Sequence, residues 1–433
     1  MYPAKVALVG FGTIGSGVAR LLLEDRERIA RHASRSVELA RIVDKDLSRP
    51  RNVTVPKRLL TDQLSAVLDD PEIEAAIELV GGLEPARTIV LQLLESGKNV
   101  VTANKALLAE HGRELFERAR QLGRSIAFEA SVAGGIPIIA AIGQSLSANR
   151  IESIHAILNG TSNFILTQME EQGTDYAASV AEAQRLGYAE ADPTMDVDGT
   201  DAAQKLAILA HLAFGAHVNW RAIRRMGINA VDVADLRYAR ELGYSIKLLA
   251  VAELVPEGLE LHVSPTLVRL GTPLAEVRGA YNAIRVVGDA VGRVFFHGLG
   301  AGQMPTASAV VADLIDTLLG RAAITFQTLQ LWSDGRQAPV AVRDPAAVPG
   351  RFYLRFQVED RPGVLAELAG VLGRHHVSIA SVIQHETEED TDGVVPLVIM
   401  THAAPEGAVD DALKAIDELT CVRPGTVRMR VGD

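Results

Sequence analysis

The sequence predicts an α/β chain of more than one domain, and three observations carry that expectation. A short apolar strand at 5–9 runs directly into Gly10-Phe11-Gly12-Thr13-Ile14-Gly15 and then a helical pattern, the opening of a doubly wound parallel sheet. Strand and helix patterns then alternate as far as residue 129. Residues 353–431 close the chain in the order strand, helix, strand, strand, helix, strand. With 433 residues there is room for two or three domains, each with its own core.

Composition narrows the function classes. Hydrophobic residues make up 48% and charged residues 22%, which is ordinary for a globular protein. The formal charge of −11 argues against nucleic acid or an anionic membrane as partner. No uncharged apolar run approaches the roughly 18 residues of a membrane span. Lys5 alone before the first strand does not make the basic region of a signal peptide. The single cysteine, Cys421, excludes an intramolecular disulfide and a thiolate metal cluster, and a cytoplasmic setting is expected.

In the glycine motif Gly10 is expected to make the tight turn, Gly12 to let the backbone approach a pyrophosphate, and Gly15 to permit close helix–strand packing. The helix start around Thr13 and Ile14 offers unpaired N–H groups to phosphates, and the helix should run over 16–29. This is a Rossmann-type dinucleotide motif in its proper context. Strand 38–43 ends at Asp44-Lys45-Asp46. An acid there would hydrogen-bond the adenine ribose of NAD, whereas a base would take the 2′-phosphate of NADP. Asp44 and Asp46 favour the first, Lys45, Arg49 and Arg51 the second, so both cofactors stay open.

Residues 75–80 read as the next parallel strand, 85–96 as a helix, and 99–102 as a further strand leading to Ala103-Asn104-Lys105. The carboxyl ends of such strands border the ligand crevice, which places Thr102 and Lys105 there. Helix 106–121 and strand 125–129 follow. From Glu129 the chain enters a glycine-rich bend reaching Pro137. Its carboxylate and carbonyls could take a hard cation, although most such bends are plain turns.

Strand 151–158 leads to Asn159-Gly160-Thr161 and a helix ending near 172. Segment 187–205 then packs five carboxylates (Glu190, Asp192, Asp196, Asp198, Asp201) and Lys205 into nineteen residues. Pro193 and Gly199 predict a loop over 190–198, and a strongly apolar helix begins at Thr200 or Asp201. Asp201 and Lys205, four apart, share one face of it. A helix apolar nearly all round is buried, and its few polar groups need partners. The pair is therefore read as a polar stripe lining a cleft and not as a surface ion pair. Between 228 and 300, short strand patterns alternate with a helix over 234–249. The glycine-rich stretch 298–305 opens an apolar helix to 319, where Gly302 could let a ligand approach the backbone. Residues 330–350, rich in Pro, Gly and Asp, read as a linker. The closing unit comprises strand 353–358, turn 359–363, helix 364–375, strand 377–384, a charged hairpin tip at 386–393, strand 395–402, helix 407–419 and strand 426–431. That order is ferredoxin-like, βαββαβ.

These residues resemble homoserine dehydrogenases with a C-terminal ACT domain. The most specific match is the segment 183–205, where Ala183, Gly187, Asp192, Pro193, Asp196, Gly199, Asp201 and Lys205 stand at the family's fixed positions. Residues 101–105, 159–161 and 129–137 resemble further family segments, and 360–365 (Asp-Arg-Pro-Gly-Val-Leu) resembles the ACT turn. The resemblance implies a dinucleotide-binding domain at 1–130 completed by a returning helix at 302–320. It further implies an α+β substrate-binding and dimerisation domain at 131–301, the linker 330–350, and an ACT domain at 351–433. The implied reaction interconverts L-homoserine and L-aspartate 4-semialdehyde with a nicotinamide, in threonine, methionine and isoleucine biosynthesis. Lys205 would donate the proton, given a pKa lowered by burial. Lys105 would be a second lysine between cofactor and substrate, and Glu190 would hold the substrate ammonium. Asp196 matches a further substrate-side carboxylate, and Asp201 would orient Lys205 or the substrate.

By the same resemblance Gly10, Gly12, Thr13, Ile14, Gly15, Lys45, Thr102, Lys105 and Gly302 would bind the cofactor. A monovalent cation, Na+, would rest on Glu129 and on the carbonyls of Val132, Gly134 and Ile136, stiffening a hinge and not acting as a Lewis acid. Many relatives place Arg before Asp after the second strand, where this chain has Lys45-Asp46 behind an added Asp44. Lysine pairs with a 2′-phosphate without a bidentate fork, so NADP is favoured and NAD stays open. The ACT unit implies control by an amino acid, with L-threonine expected at Arg361, Pro362, Gly363 and Val364, where a helix start suits a carboxylate. Such domains bind effectors across a pair, so a homodimer or homotetramer is expected. Two rivals remain. A dehydrogenase of 2-hydroxy acids or prephenate would place the glycine motif or a catalytic His elsewhere, and a non-catalytic amino-acid sensor would have no need of both Lys105 and Lys205.

Overall fold

The computed structural model describes residues 3–329, 331, 340–385 and 393–432. They gather into two compact units. One holds Met1–Glu152, Gln204–Ala222 and Val286–Ala341; the other holds Ser153–Ala203, Ile223–Arg285 and Val342–Asp433.

The first unit is built on β1 (Ala4–Val9), β2 (Val37–Val43), β3 (Leu60–Thr61), β4 (Ile73–Glu78), β5 (Asn99–Thr102) and β6 (Ile126–Ala127), in the order β3-β2-β1-β4-β5-β6. Every pairing is parallel. Val6, Leu8, Ile42, Ile77 and Val101 are buried with Val18 and Leu22 of the helix Thr13–Glu24 and with Val310 and Leu314 of the helix Gln303–Leu318. Helices on the sheet faces explain why these strands read as continuous apolar runs. The strand order reverses at β1/β4, so ligands are expected at the carboxyl ends of those two strands. The helix expected over 16–29 divides into Thr13–Glu24 and Arg26–His32. The chain jogs at Asp25, whose N–H still bonds the Leu21 carbonyl at 3.0 Å.

The chain enters the second unit along β7 (Ile151–Ile157), continues through the two-residue β8 (Arg224–Arg225), and makes a long antiparallel hairpin of β9 (Tyr244–Val255) and β10 (Gly258–Arg269). β11 (Tyr281–Gly288) and, in the first unit, β12 (Gly292–Leu299) follow. The helix expected over 234–249 stops at Glu241, and the rest of that stretch is strand. Gly243, at φ 84°, ends the helical path. Residues 245–252 are buried on both faces, so the strand lacks the alternation that would have revealed it.

The C-terminal part runs β13 (Pro349–Glu359), helix Val364–Arg374, β14 (Ile379–Ile383), β15 (Val394–Thr401), the short β16 (Ala404–Pro405), helix Glu406–Asp417 and β17 (Val422–Val431). The strand order β17-β13-β15-β14 is the ferredoxin-like arrangement. Phe352, Leu354, Phe356, Leu368, Leu372, Ile399, Ile416 and Cys421 make its core. Within the expected linker, 330 and 332–339 lie outside the described residues, as do 386–392 of the expected hairpin tip.

This part is joined to the rest of its own unit at β10 and at the helix Val233–Glu241, among other places. β17 lies parallel to β10, with Thr266 opposite Arg430 and Leu267 opposite Val431. Asp235, fully buried on the helix Val233–Glu241, accepts from Arg355 Nε at 2.6 Å, Arg355 Nη2 at 2.9 Å and the Tyr353 hydroxyl at 2.8 Å. Removing one member of such a pair strands the other charge away from water. Asp235→Ala is expected to lower the stability of this unit in denaturant by about 3–5 kcal/mol. A loss below about 1 kcal/mol would mean the pair behaves like a solvated one.

Candidate active site

At the glycine loop the three glycines differ in what forces them. Gly10 sits at φ 100°, and a Cβ there would fall 2.5 Å from the Leu79 carbonyl carbon. A Cβ on Gly15 would fall 2.2 Å from the Gly10 oxygen. A Cβ on Gly12 would meet nothing within 4 Å, so this position leaves the room that an approaching pyrophosphate needs. Gln303 Nε2 donates to the Thr13 carbonyl at 2.9 Å, which sets the start of the helix Gln303–Leu318, and Gly302 before it, beside the loop.

Asp44 is turned inward. One carboxylate oxygen accepts from the Phe11 N–H at 2.6 Å and the other from the Asp46 N–H at 2.8 Å. Arg51 is pinned by bonds from Nε to the Phe11 carbonyl at 2.8 Å and from Nη1 to the Arg49 carbonyl at 2.7 Å, with its guanidinium 4.7 Å from the Phe11 ring centre. Asp46 accepts from the Ser48 hydroxyl and N–H and the Arg49 N–H, which hold its carboxyl below the usual range. Lys45 is exposed.

Glu78, at the end of β4, is fully buried and accepts from Thr102 Oγ1 at 2.7 Å, the Val80 N–H at 2.8 Å and the Gly81 N–H at 3.3 Å. Burial pushes its carboxyl up. Asn104 donates to the Gly82 carbonyl at 2.7 Å and caps the next helix by accepting from the Leu107 N–H at 3.1 Å. Together they fix Thr102 and place Lys105, half-buried, in the first turn of the helix Lys105–Gln121. Sequence reasoning set Asn104 only among the residues 102–105 bordering the crevice and passed over Glu78, although a carboxylate inside the apolar run 75–80 was the available signal.

In the bend after β6, the Glu129 carboxylate accepts from the Ile139 and Ala140 N–H groups, each at 2.8 Å, and its own N–H donates to Asp313 at 2.7 Å. Burial pushes the Glu129 carboxyl up, and burial with the Glu129 charge pushes Asp313 up. Among the described residues no group of three or more His, Cys, Asp or Glu could hold a metal. A cation in this bend would therefore depend on main-chain carbonyls. A cavity of about 570 Å³ lies against Glu129, Asp313, Asp316, Phe128, Pro137 and Phe326. None of Gly10, Thr102, Lys105 or Lys205 lines it.

The acidic segment sorts its carboxylates by task. Asp192 accepts from the Thr194 N–H at 3.1 Å and hydroxyl at 2.5 Å, which folds the single turn Thr194–Val197 inside the expected loop. Asp198 accepts from the Thr200 N–H at 2.7 Å and hydroxyl at 2.9 Å, where the helix Thr200–Phe214 begins. Asp196 and Asp201 are brought together by one amide: Asn159 Nδ2 donates to Asp196 at 2.7 Å and to Asp201 at 2.9 Å. Asp201 is 5% exposed, and Lys205, one turn further along the helix, 8%. Glu190 is exposed, with its carbonyl 3.1 Å from Gln184 Nε2.

In the C-terminal part Gly363, at φ 94°, precedes the helix Val364–Arg374. Arg361 donates to Glu359 at 3.1 Å and to Glu367 at 2.9 Å. Glu359, Arg361 and Gly363, with Pro362, Val364 and Gln384, line a cavity of about 310 Å³.

Three family profiles match the chain: "Homoserine dehydrogenase, NAD binding domain" over 10–129, "Homoserine dehydrogenase" over 137–315 and "ACT domain" over 352–418. The chain is 44% identical over 440 residues to the homoserine dehydrogenase of Pseudomonas aeruginosa, covering 100% of this chain and 99% of that protein. The chain belongs to the homoserine dehydrogenase family. It is a homoserine dehydrogenase in activity, an oxidoreductase carrying an NAD-binding domain and an ACT domain. The crystal structure of a homoserine dehydrogenase from Thiobacillus denitrificans superposes with a TM-score of 0.90 at 41% identity, covering 100% of this chain and 99% of that one. A hyperthermophilic archaeal homoserine dehydrogenase in complex with NADPH gives 0.62 at 26% identity, covering 73% and 98%. No helix among the described residues is long and apolar enough to cross a membrane.

Proposed function

We propose that this homoserine dehydrogenase interconverts L-homoserine and L-aspartate 4-semialdehyde with NADP(H) in preference to NAD(H), on the route to threonine, methionine and isoleucine. The inward-turned Asp44 carries the cofactor preference. Its oxygens already accept two main-chain N–H groups, which leaves the exposed Lys45 and Arg49 as the charges to meet a 2′-phosphate. The NADPH bound by the archaeal relative is consistent with that choice. The N–H groups at Gly12, Thr13 and Ile14 would take the pyrophosphate, Gly10 and Gly15 would shape the loop, and Thr102, Lys105 and Gly302 would border the cofactor.

Bound NADPH supplies the hydride. Reduction of the aldehyde builds negative charge on its oxygen, and Lys205 would provide both the field and the proton there. Lys105 would act as the second lysine, Glu190 would take the substrate ammonium from its exposed loop, and Asp196 and Asp201 would complete the substrate side. We assign the dinucleotide domain to 1–130 with 302–320 and the substrate and dimerisation domain to 131–301. Assayed in both directions, the enzyme is expected to favour NADP(H), and Lys205→Ala to lose about 10²–10⁴-fold in turnover with unchanged NADPH affinity. Turnover near the wild-type rate in that variant would remove Lys205 from the chemistry.

A Na+ ion is proposed on the carbonyls of Glu129, Val132, Gly134 and Ile136, since the Glu129 carboxylate is engaged by Ile139 and Ala140. Burial pushes the Glu129 and Asp313 carboxyls toward their neutral forms, and a cation held there would favour their ionised forms instead. Exchanging Na+ for tetramethylammonium is expected to lower both activity and thermal midpoint; an enzyme indifferent to the exchange has no such site.

L-Threonine is the proposed effector, in a homodimer or homotetramer whose mass sedimentation would give. Its carboxylate would meet the start of the helix Val364–Arg374 with Arg361, Pro362, Gly363 and Val364, and its ammonium would meet Glu359. Arg361→Ala is expected to raise the half-inhibiting threonine concentration about tenfold while leaving uninhibited turnover intact. Unchanged inhibition would place the effector elsewhere.

A further inference from the structure

We propose that Asn159 is a positioning residue that clamps Asp196 and Asp201 into one carboxylate pair by dividing its two amide N–H groups between them. This rests on the substrate-side roles given above to the two aspartates. A single nitrogen stands 2.7 Å from an Asp196 oxygen and 2.9 Å from an Asp201 oxygen. Two carboxylates drawn that close repel each other, more so where little water reaches them, and Asp201 is 5% exposed. The amide supplies one directed donor to each and so offsets that repulsion without adding charge.

The amide cannot turn away. Its Oδ1 accepts from the Ser162 N–H at 2.8 Å as the cap of the helix Gly160–Gln172, which leaves Nδ2 facing the aspartates. On one side the Leu158 carbonyl accepts from Asn282 Nδ2 at 3.0 Å. On the other, a Cβ on Gly160 would fall 2.7 Å from the Ala280 carbonyl oxygen, so the backbone is wedged as well. Ser162 Oγ donates to the Asp196 carbonyl at 2.8 Å, tying the turn Thr194–Val197 to the same helix. The groups facing the amide are Asp196 and Asp201. Asp198 at the helix start adds a further negative charge, and Lys205 follows Asp201 by one turn.

Capping and clamping can be separated, because each uses a different end of the side chain. Asn159→Asp keeps an acceptor for the Ser162 N–H but replaces the donors with a third negative charge. Asn159→Ser keeps a cap oxygen, removes the amide and adds no charge. Both are assayed on the full-length enzyme with L-homoserine across a pH series, with NADPH binding measured separately. Asn159→Asp is expected to lose about 100-fold in kcat/KM at mildly alkaline pH with NADPH affinity unchanged. Its activity relative to wild type should recover as pH falls, because a protonated introduced carboxyl regains a donor. Asn159→Ser should lose at least about tenfold without that recovery. A purely structural cap would give neither the loss in both variants nor the difference between their pH profiles. If Asn159→Asp does not fold, the Ser variant alone decides. A kcat/KM within about threefold of wild type in either folded variant, or parallel pH profiles for the two, overturns the proposal. Wild-type enzyme unable to oxidise L-homoserine would instead sink the reading on which it rests, and shows in the control.

Discussion

Charge buried on an apolar helix is the constraint that organises the acidic segment. From Thr200 to Leu212 every residue of the helix Thr200–Phe214 is buried, and the run includes Asp201 and Lys205. An isolated carboxylate in such a place would cost several kcal/mol, so the surrounding chain must supply donors. It does so with a loop and not with a counter-charge alone: Asn159 reaches Asp201 and Asp196 together. Asp198 satisfies the start of the helix and places its charge at the positive end of the helix dipole. The turn Thr194–Val197 exists because Asp192 folds it. Caps and site carboxylates thus alternate along one short stretch.

The same economy appears in the C-terminal part. β13 carries Glu359 at the cavity beside Arg361, and Arg355 and Tyr353 at Asp235. Glu359 lies four positions along the strand from Arg355, about 13 Å. β13 is paired on both sides, to β15 and to β17, and β17 continues onto β10. A shift at the turn beside Arg361, where the effector is proposed, would therefore act on a stiff element that also carries a buried ion pair. The same connections make removal of residues 351–433 a poor test of regulation, because it would expose an edge of β10 and strand the Asp235 charge.

Much of this was legible in the sequence, and the residues show why. The strand–glycine–helix opening, the alternation through β5 and the ferredoxin-like order rest on local signals, namely period, glycines and turn residues, and these fixed the elements to within a few positions. The misread stretch 234–249 failed for a physical reason. β9 is buried on both faces, so alternation vanishes, and only Gly243 marks the break. In the candidate site, residue types that carry chemistry announced themselves, whereas the ones that hold them did not. Asn159, Glu78 and Asn104 act through bonds spanning 22 to 42 positions, which no local pattern reveals. The five carboxylates of the acidic segment likewise look alike in sequence, and only hydrogen-bond partners separate the caps from the clamped pair.

The loop after β2 makes the same point about cofactor choice. By residue type, two acids outnumber one lysine in Asp44-Lys45-Asp46, and the composition alone would favour a ribose hydroxyl. Geometry reverses that weighting. Asp44 spends its acceptors on Phe11 and Asp46, and Asp46 spends its own on Ser48 and Arg49. Arg51, which as a free guanidinium would suit a phosphate, is spent on the Phe11 and Arg49 carbonyls and on the Phe11 ring. The loop therefore uses three of its charged residues to hold its own shape. What is left to read a ligand is the exposed Lys45, a point charge able to attract a phosphate but too simple in geometry to demand one, together with the equally exposed Arg49 side chain. The proposed preference for NADP(H), with NAD(H) still tolerated, would rest on these exposed basic side chains and not on the acids.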